Sequence, residues 1–550
     1  MHPLKNVYTF YDPSTKIWTG LPGRKPIFNP HQSIGDLILQ ILERNADKVV
    51  QISADSGVEV TGAEMRLWTI RIAQNLIRMG YGGVGRQNED MFTMIVRNGE
   101  NTAPVLFACF ALGIPANTLD PSFLRDDLSH MLEKVRPKVV FCENEALEET
   151  VAACDLAHVS PKIILMGHHL VGYDHVESLL KVTGQEELFT PAPIGNPEKH
   201  LAILVCSSGT TGRSKAVSLS HSICIAHVVN FFECHPSDRT FAFSSLYWLS
   251  GVLILLASTV WGATRIITRQ TYRPEVALDI IGRFQVSALC ITPSQAYGII
   301  HCGQAKASAF TSIRLVFCGG SAVSTSLKRS FEKLIPGRFM EVAYGLTEIA
   351  YSVTFSKREL YRDGSVGFPR SGMEFKVVDD IGSALDVGQE GEILVRAEYV
   401  FRGYYGNEEA SKDMLNSEGW LHTGDIGRFD EEGYLYVVDR KKDMFKYNNF
   451  PISPTEIECV IQQMPGVAAA CVVGIPGEPN DLATALVVRR EDCSGGLDAA
   501  ELVRRTNESL PDYKHLRGGV YFAEELPLTP SGKVLRRMVR ENILKMMKKQ

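Results

Sequence analysis

Six apolar residues, Leu201 to Cys206, run without a break into Ser207-Ser208-Gly209-Thr210-Thr211-Gly212-Arg213-Ser214-Lys215. An apolar run that short, bounded by turn residues, reads as a strand buried on both faces, and such strands belong to parallel sheets covered by helices. Gly209 and Gly212 let the backbone turn its N–H groups toward an anion. Ser207, Ser208, Thr210 and Thr211 add hydroxyl donors, and Lys215 ends the run with a positive charge. Together they make a cradle for a polyphosphate. It is not a GxxxxGK[ST] loop leading into a long helix: the glycines are three apart, Lys215 follows three after the second, and apolar Ala216-Val217 comes next. A plain polar surface turn is the alternative, and the buried strand in front with the lysine behind weighs against it.

The rest of the chain is patterned to match. Gln32–Ala46 carries Ile34, Leu37, Ile38, Ile41 and Leu42 on one helical stripe, and Met91–Val96, Val139–Phe141 and Ile163–Met166 read as buried strands. A second alternating set spans residues 201–354, with strands at Ala202–Cys206 and Leu315–Phe317 and a helix near Ser222–Phe232. After Gly364 the texture changes to short strands between Gly, Asp and Asn turns, at Glu374–Val378, Gly391–Val395 and Tyr434–Val438, as in a small β-barrel. Beyond Arg440-Lys441-Lys442-Asp443 a helix at Pro454–Met464, strands at Ala468–Val473 and Ala483–Val488 and a helix at Ala499–Leu510 predict a compact α+β domain. The expected α/β architecture is a large N-terminal region, 1–439, with subdomains 1–195, 196–363 and 364–439, a hinge at 440–443, and a mobile α+β C-terminal domain, 444–550.

Composition narrows the function. The 57 Lys and Arg against 63 Asp and Glu leave a formal charge of −6, which disfavours nucleic-acid binding and favours small-molecule catalysis. The 12 cysteines contain no CxxC pair, so zinc ribbons and dithiol redox motifs are not expected. The apolar stretches Ala103–Leu119 and Gly251–Ala263 are interrupted by Pro and Gly or too short for a membrane span. Met1–Asn6 lacks a signal-peptide apolar core, and the terminal Lys545-Met546-Met547-Lys548-Lys549-Gln550 is not an SKL-type signal. A cytoplasmic protein is therefore expected, with peroxisomal entry by another route as the alternative.

Further motifs follow the phosphate loop in order: Cys318-Gly319-Gly320-Ser321-Ala322, Ala343-Tyr344-Gly345-Leu346-Thr347-Glu348, Gly419-Trp420-Leu421-His422-Thr423-Gly424-Asp425, Val438-Asp439-Arg440-Lys441-Lys442-Asp443 and Pro530-Ser531-Gly532-Lys533-Val534. Glu348 offers a hard oxygen suited to Mg²⁺ beside phosphates, and Asp425 has two oxygens for a ribose diol. Gly319 and Gly320 leave room for a flat ring against the backbone, and Lys533 sits on a tight Pro-x-Gly turn able to enter a cleft. With the loop, these motifs resemble the acyl-adenylating superfamily over nearly the whole chain. Within it the chain is most similar to the 4-coumarate-CoA-ligase and luciferase branch, and to its insect-type fatty-acyl ligases.

The resemblance implies an ATP- and Mg²⁺-dependent acid–CoA ligase. It places Glu348 on Mg²⁺, Thr347 near the α-phosphate, the Tyr344 ring against adenine with Gly345 beside it, and Gly319, Gly320 and Ser321 on the adenine and acyl wall. Asp425 and Arg440 would contact ribose, and Lys533 would be the adenylation lysine. Lys446, elsewhere on the small domain, would serve the thioester step with coenzyme A, the domain pivoting near Lys442. Tyr247, Trp248 and Gly251, in Ser244–Gly251, match the acyl-pocket motif, with Trp248 as an aromatic gate for an apolar fatty or aryl acid. Core packing is the plain alternative for Tyr247 and Trp248. No carrier protein is implied.

Three departures bear on this. Ser214 and Ala216 stand where relatives usually have Pro and Gly, and Asn448-Asn449 stands where they have Lys-Gly in the hairpin passed by coenzyme A. Two other readings stay open: a luciferase-like adenylating monooxygenase, and a non-catalytic acyl or nucleotide sensor.

Overall fold

The computed structural model describes residues 2–3, 8–23, 27–82, 90–207, 214–228, 234–342, 344–448, 450–477, 480–490, 498–528 and 534–548. Three seven-stranded sheets build the N-terminal region. In the first, Asp174–His175, Lys162–Leu165, Val139–Cys142, Phe92–Ile95, Ala116–Leu119 and Leu201–Ser207 lie parallel in that order, and Lys215–Ser220 adds an antiparallel edge. In the second, Met340–Val342, Leu315–Cys318, Ala288–Ile291, Arg239–Phe241, Thr264–Ile267 and Val49–Ser53 are parallel, and Glu59–Thr61 is the antiparallel edge. Leu201–Ser207 has a strand on each side and buried residues from Ala202 to Cys206, which accounts for its unbroken apolar sequence.

Helices fill the space between these sheets. Every residue of Thr102–Leu112 is buried, and Leu249–Trp261 is buried from Gly251 to Val260; a helix apolar on all sides has only the interior of a large core to occupy. The stretch Ala103–Leu119 thus divides into that first helix and the strand Ala116–Leu119. Among the described residues no helix is long and apolar enough to cross a membrane. One continuous core joins Phe92 of the first sheet, Val50 of the second and Phe375 of the third.

The third sheet is antiparallel throughout, in the order His2–Pro3, Phe10–Asp12, Ile17–Thr19, Glu374–Val378, Gly391–Arg396, Leu421–Phe429 and Leu435–Arg440. Thr9 Oγ1, beside its second strand, donates to the Gly433 carbonyl at 3.1 Å, next to its last strand, and among the described residues no ladder closes the sheet into the expected barrel.

The subdomain boundaries at 195 and 363 need correction. Val49–Ser53 and Glu59–Thr61, placed by sequence in the first subdomain, pair in the second sheet, while Leu201–Ser207 and Lys215–Ser220 cross back to the first. Ile17–Thr19 joins Glu374–Val378 in the third. Local patterning shows that a segment is a strand but not which partner it meets, since parallel pairings are made between distant residues.

The chain leaves the third sheet at Arg440 and enters the hairpin Phe445–Tyr447/Phe450–Ile452. Beyond it the strands Val467–Ile475, Leu482–Arg489 and Val520–Ala523 form a sheet with helices Pro454–Gln462, Ala499–Glu508 and Arg536–Met547 around it. Buried Asp439 accepts hydrogen bonds from Ser453 Oγ at 2.7 Å and Thr455 N at 3.0 Å, so the last strand of the large region caps the first helix of the small one. Tyr297 Oη donates to the Val467 carbonyl at 3.2 Å, and Arg490 Nη2 lies 2.8 Å from His301 Nε2, giving a second contact between the two.

Candidate active site

A cavity of about 490 Å³ opens where the carboxyl ends of the first two sheets face the edge of the third. That edge of a parallel sheet is where strand ends and loops deliver polar groups to a ligand. Ser207 and Lys215 reach it from the first sheet, and Thr292, Gly319, Gly320 and Ser321 from the ends of Ala288–Ile291 and Leu315–Cys318. Ser207 and Lys215 are direct partners across an antiparallel pair, so the intervening loop leaves and returns at one point on the lip. Ser208, Gly209, Thr210, Thr211 and Gly212 lie outside the described residues. Neither substitution flanking the loop disrupts its stem. Ser214 Oγ lies 3.2 Å from Tyr247 Oη, and Ala216 pairs with Cys206 without a left-handed backbone.

The charged wall is assembled from three elements. Glu348 stands in the turn Thr347–Ile349, which closes with Ala350 in the left-handed region at φ 56°. It is 6% exposed and accepts a 2.7 Å hydrogen bond from Tyr404 Oη, while Lys215 Nζ lies 4.9 Å from the centre of the same tyrosine ring. Asp425 and Arg440 are opposite each other on adjacent strands, and Arg440 Nε meets Asp425 Oδ1 at 2.8 Å. The other carboxylate oxygen of Asp425 takes the Tyr344 hydroxyl proton at 2.7 Å. Burial works against the charge on Arg440, but Asp425, then Tyr344 and Glu348, more than restore it, raising its pKa above the ordinary arginine value. Burial, then the Asp425 charge, drives the Tyr344 phenol well above its usual range, so it stays a donor. Lys442 follows in the next turn; protein packed round its ammonium lowers its pKa against the pull of Asp443, and Arg440 and Lys215 lower it further.

The expected positions divide between the cavity lining and the protein behind it. Ser207, Lys215, Gly319, Gly320, Ser321, Gly345, Thr347, Glu348, Arg440 and Trp248 all line the cavity. Gly345 must be glycine, because a Cβ there would overlap the Tyr351 carbonyl oxygen. Others are displaced. Tyr344 and Asp425 sit behind the wall rather than on it, Asp425 only 3% exposed. Tyr247 is not a lining residue: it packs edge-on against Phe123 and Trp248, ring centres 5.0 and 4.6 Å away, as the core alternative has it. Gly251 is not on the wall either; a Cβ there would overlap the Ser245 carbonyl oxygen, so it lets the helix start tightly. Lys446 is exposed on its hairpin, away from the wall, and Lys533 lies outside the described residues, although Leu528 and Val534 pair to close the base of its loop.

Sequence reading passed over Tyr404, Glu392 and His422. His422 Nδ1 is 3.4 Å from Glu392 Oε1, Lys441 Nζ is 3.1 Å from the other oxygen, and both His422 and Glu392 face the cavity. Tyr404 was the least accessible from sequence. It reaches the site because residues 402–405 bond to Ala216 and Ser218, a pairing between segments far apart in the chain. Trp248, Leu249, Leu253 and Phe317 add apolar surface to the cavity lining.

A cavity lined by cations, a buried carboxylate and apolar side chains fits a phosphate-bearing ligand that also has an apolar part. The chain belongs to the AMP-binding enzyme family, which it matches over residues 40–405, and it matches the AMP-binding enzyme C-terminal domain over 456–533. This is the acyl-adenylate-forming superfamily, in its 4-coumarate-CoA-ligase and luciferase branch. The chain is 26% identical over 537 residues to probable 4-coumarate--CoA ligase 1 of Dictyostelium discoideum, covering 94% of this chain and 96% of that one. It is 27% identical over 541 residues to the luciferin 4-monooxygenase of Photuris pensylvanica, covering 92% and 94%. Its fold is like that of the anthranilate CoA ligase AuaEII in complex with anthranoyl-AMP, with TM-score 0.85, 22% identity and coverage of 95% and 99%.

Proposed function

We propose that the chain is an AMP-forming acid–CoA ligase for an apolar carboxylic acid. The observation that carries this reading is one cavity lined both by Lys215, Glu348 and Arg440 and by Trp248, Leu249, Leu253 and Phe317. The acid carboxylate attacks the α-phosphorus of ATP, the bond to pyrophosphate breaks, and an acyl-adenylate remains. The coenzyme A thiolate then attacks the acyl carbon and AMP leaves.

Lys215, with the loop it closes, would hold the phosphates, and Arg440 would contact the ribose. Asp425, held by Tyr344 and Arg440, would accept from the ribose hydroxyls. Glu348 fits a divalent cation: it is a buried carboxylate on the cavity wall whose hydrogen-bond partner, among the described residues, is Tyr404. Mg²⁺ held there supplies charge neutralisation for the triphosphate. Lys533, on the loop closed by Leu528 and Val534, would bring an ammonium to the developing phosphoryl charge, and Lys446 would serve thioester formation after rotation about Lys442.

The hairpin after Lys446 favours a second reading. Asn448 adopts the left-handed conformation at φ 47°, and its side chain and backbone are tied to Asn480 at 2.6 and 3.0 Å; relatives usually carry lysine here and glycine at the next position, Asn449, which lies outside the described residues. If that closes the path of pantetheine, the enzyme stops at the adenylate, as an adenylating monooxygenase requires before oxygen enters. Incubating the protein with Mg·ATP and a panel of fatty and aryl acids, with and without coenzyme A, and reading products by mass spectrometry separates the two. Acyl-CoA plus AMP supports the ligase. Adenylate that persists with coenzyme A present supports the second reading, and no acid-dependent product overturns both.

A further inference from the structure

Among the described residues one set of three side chains, His169, His175 and Glu177, brings a donor atom each within 4.8 Å of one another. The set is far from the nucleotide cavity, on the outer edge of the first sheet. There the strand Asp174–His175 pairs with Lys162–Leu165, and the short helix Val176–Leu180 begins. His169 Nε2 lies 2.9 Å from Glu177 Oε2, and His175 Nδ1 lies 3.9 Å from the same oxygen. The two imidazole rings face each other at 3.9 Å between centres.

The chemistry of His175 is set by its surroundings. Its ring is buried, 5% exposed, and Nε2 lies 3.1 Å from the Gly167 carbonyl oxygen, which can only accept; Nε2 therefore carries the proton. Nδ1 is then the acceptor nitrogen on the Glu177 side: it takes a 3.3 Å hydrogen bond from the Glu177 backbone N–H, which a bound cation would displace, and it lies 3.9 Å from the Glu177 carboxylate. A histidine whose far nitrogen is pinned to a carbonyl and whose near nitrogen faces a carboxylate is oriented as metal-bound histidines are. His169 and Glu177 are both about two-thirds exposed, so a cation has an open approach and room for water.

We propose that His169 Nε2, His175 Nδ1 and Glu177 Oε2 form a binding site for a borderline transition-metal cation of the Zn²⁺ type, with water completing the coordination. Bonds of about 2.0–2.2 Å in tetrahedral geometry space neighbouring ligand atoms about 3.3 Å apart. The separations of 2.9 and 3.9 Å to Glu177 fall on either side of that value, and all three donor atoms lie within 4.8 Å of one another, so side-chain adjustment alone closes the site. Two neutral imidazoles and one carboxylate suit Zn²⁺ or Co²⁺ better than the hard cation expected at Glu348. Bound there, the ion would staple the exposed loop carrying Leu170, Val171 and Tyr173 to the sheet edge.

The full-length protein without a polyhistidine tag, stripped with chelator and desalted, is titrated with Zn²⁺ by calorimetry and with Co²⁺ by visible absorption. The expected result is one saturable site with micromolar or tighter affinity and a Co²⁺ spectrum of low coordination number. His169→Ala and Glu177→Gln, both at exposed positions, should each weaken it at least tenfold while leaving the metal-free melting temperature unchanged. Absence of saturable binding below 100 µM (about −5.5 kcal/mol) overturns the proposal, as does binding that survives both substitutions undiminished. Acid adenylation plays no part in either readout.

Discussion

Tyr404 touches two of the site's charges at once. Its hydroxyl donates to Glu348 and its ring lies under Lys215, so it sets the spacing between carboxylate and ammonium. Tyr404→Phe keeps the ring and removes the donor, leaving a buried carboxylate short of a charge-assisted hydrogen bond worth about 1.5–3 kcal/mol. The expected outcome is a 10- to 100-fold fall in kcat/KM with a raised requirement for Mg²⁺, and Tyr404→Leu should cost more because the cation–π contact goes too. Steady-state kinetics against Mg²⁺ concentration checks this; an unchanged Mg²⁺ dependence in Tyr404→Phe would mean the hydroxyl has no part in holding Glu348. Two buried histidines make a separate claim. Burial, helped by neighbouring His200, pushes His221 down to about 3, and burial pushes His227 down to about 4 against the hydrogen bond to the Tyr399 carbonyl. An unfolded histidine titrates near 6.5, so below that pH the unfolded chain binds protons that the folded chain refuses. Their full contribution to stability is present above pH 6.5 and is lost as pH falls toward the folded values, about 2 kcal/mol for each histidine between pH 6.5 and 5. Melting temperature should therefore drop between pH 7 and pH 5, before most carboxylates titrate; a flat profile over that range would contradict it.

At the scale of elements, Leu201–Ser207 and Lys215–Ser220 hold the phosphate loop by its two ends, and Leu249–Trp261 presents the apolar wall. The helix begins tightly against Ser244 and Ser245, and Gly251→Ala would force a methyl group onto the Ser245 carbonyl. Destabilisation of about 1–3 kcal/mol is expected from such overpacking, seen as a lower denaturant midpoint. A midpoint equal to wild type would show that the backbone there gives way without cost. The strands and helices themselves were legible: Gln32–Ala46 contains the helix Ile34–Arg44, and Ala483–Val488 the core of the strand Leu482–Arg489, because hydrophobic period is a local property. Legible too were the residues lying at strand ends, Ser207, Gly319 and Glu348 among them, since their neighbours in sequence are their neighbours at the site. Sheet membership was not, and neither was Tyr404, for both depend on pairings across long stretches of chain. Tyr247 and Gly251 were misplaced for a related reason: pattern shows that a motif lies near a pocket, whereas which side chain faces inward depends on the packing of Phe123, Trp248 and Ser245.

For the whole molecule, the proposed chemistry needs two half-reactions served by one small domain joined to the large one through Asp439, Arg440 and Lys442. The capping of Ser453 and Thr455 by Asp439, and the contacts of Tyr297 with Val467 and of His301 with Arg490, describe one seating of that domain. Lys446 is exposed in this seating, so the role proposed for it at the adenylate would need the domain to turn. Lys533→Ala is expected to slow adenylate formation by two or more orders of magnitude while sparing thioester formation from preformed adenylate, and Lys446→Ala to do the reverse. Single-turnover measurements of each half-reaction test this, and equal loss of both steps in either variant would remove the case for two seatings. All of this rests on adenylation. The most direct test is exchange of labelled pyrophosphate into ATP, which needs only the first half-reaction and is indifferent to the Asn448 hairpin. The account predicts exchange that appears on addition of a fatty or aryl acid, needs Mg²⁺, and vanishes in Lys533→Ala. No exchange with any acid in the panel, from protein that binds ATP, would contradict it.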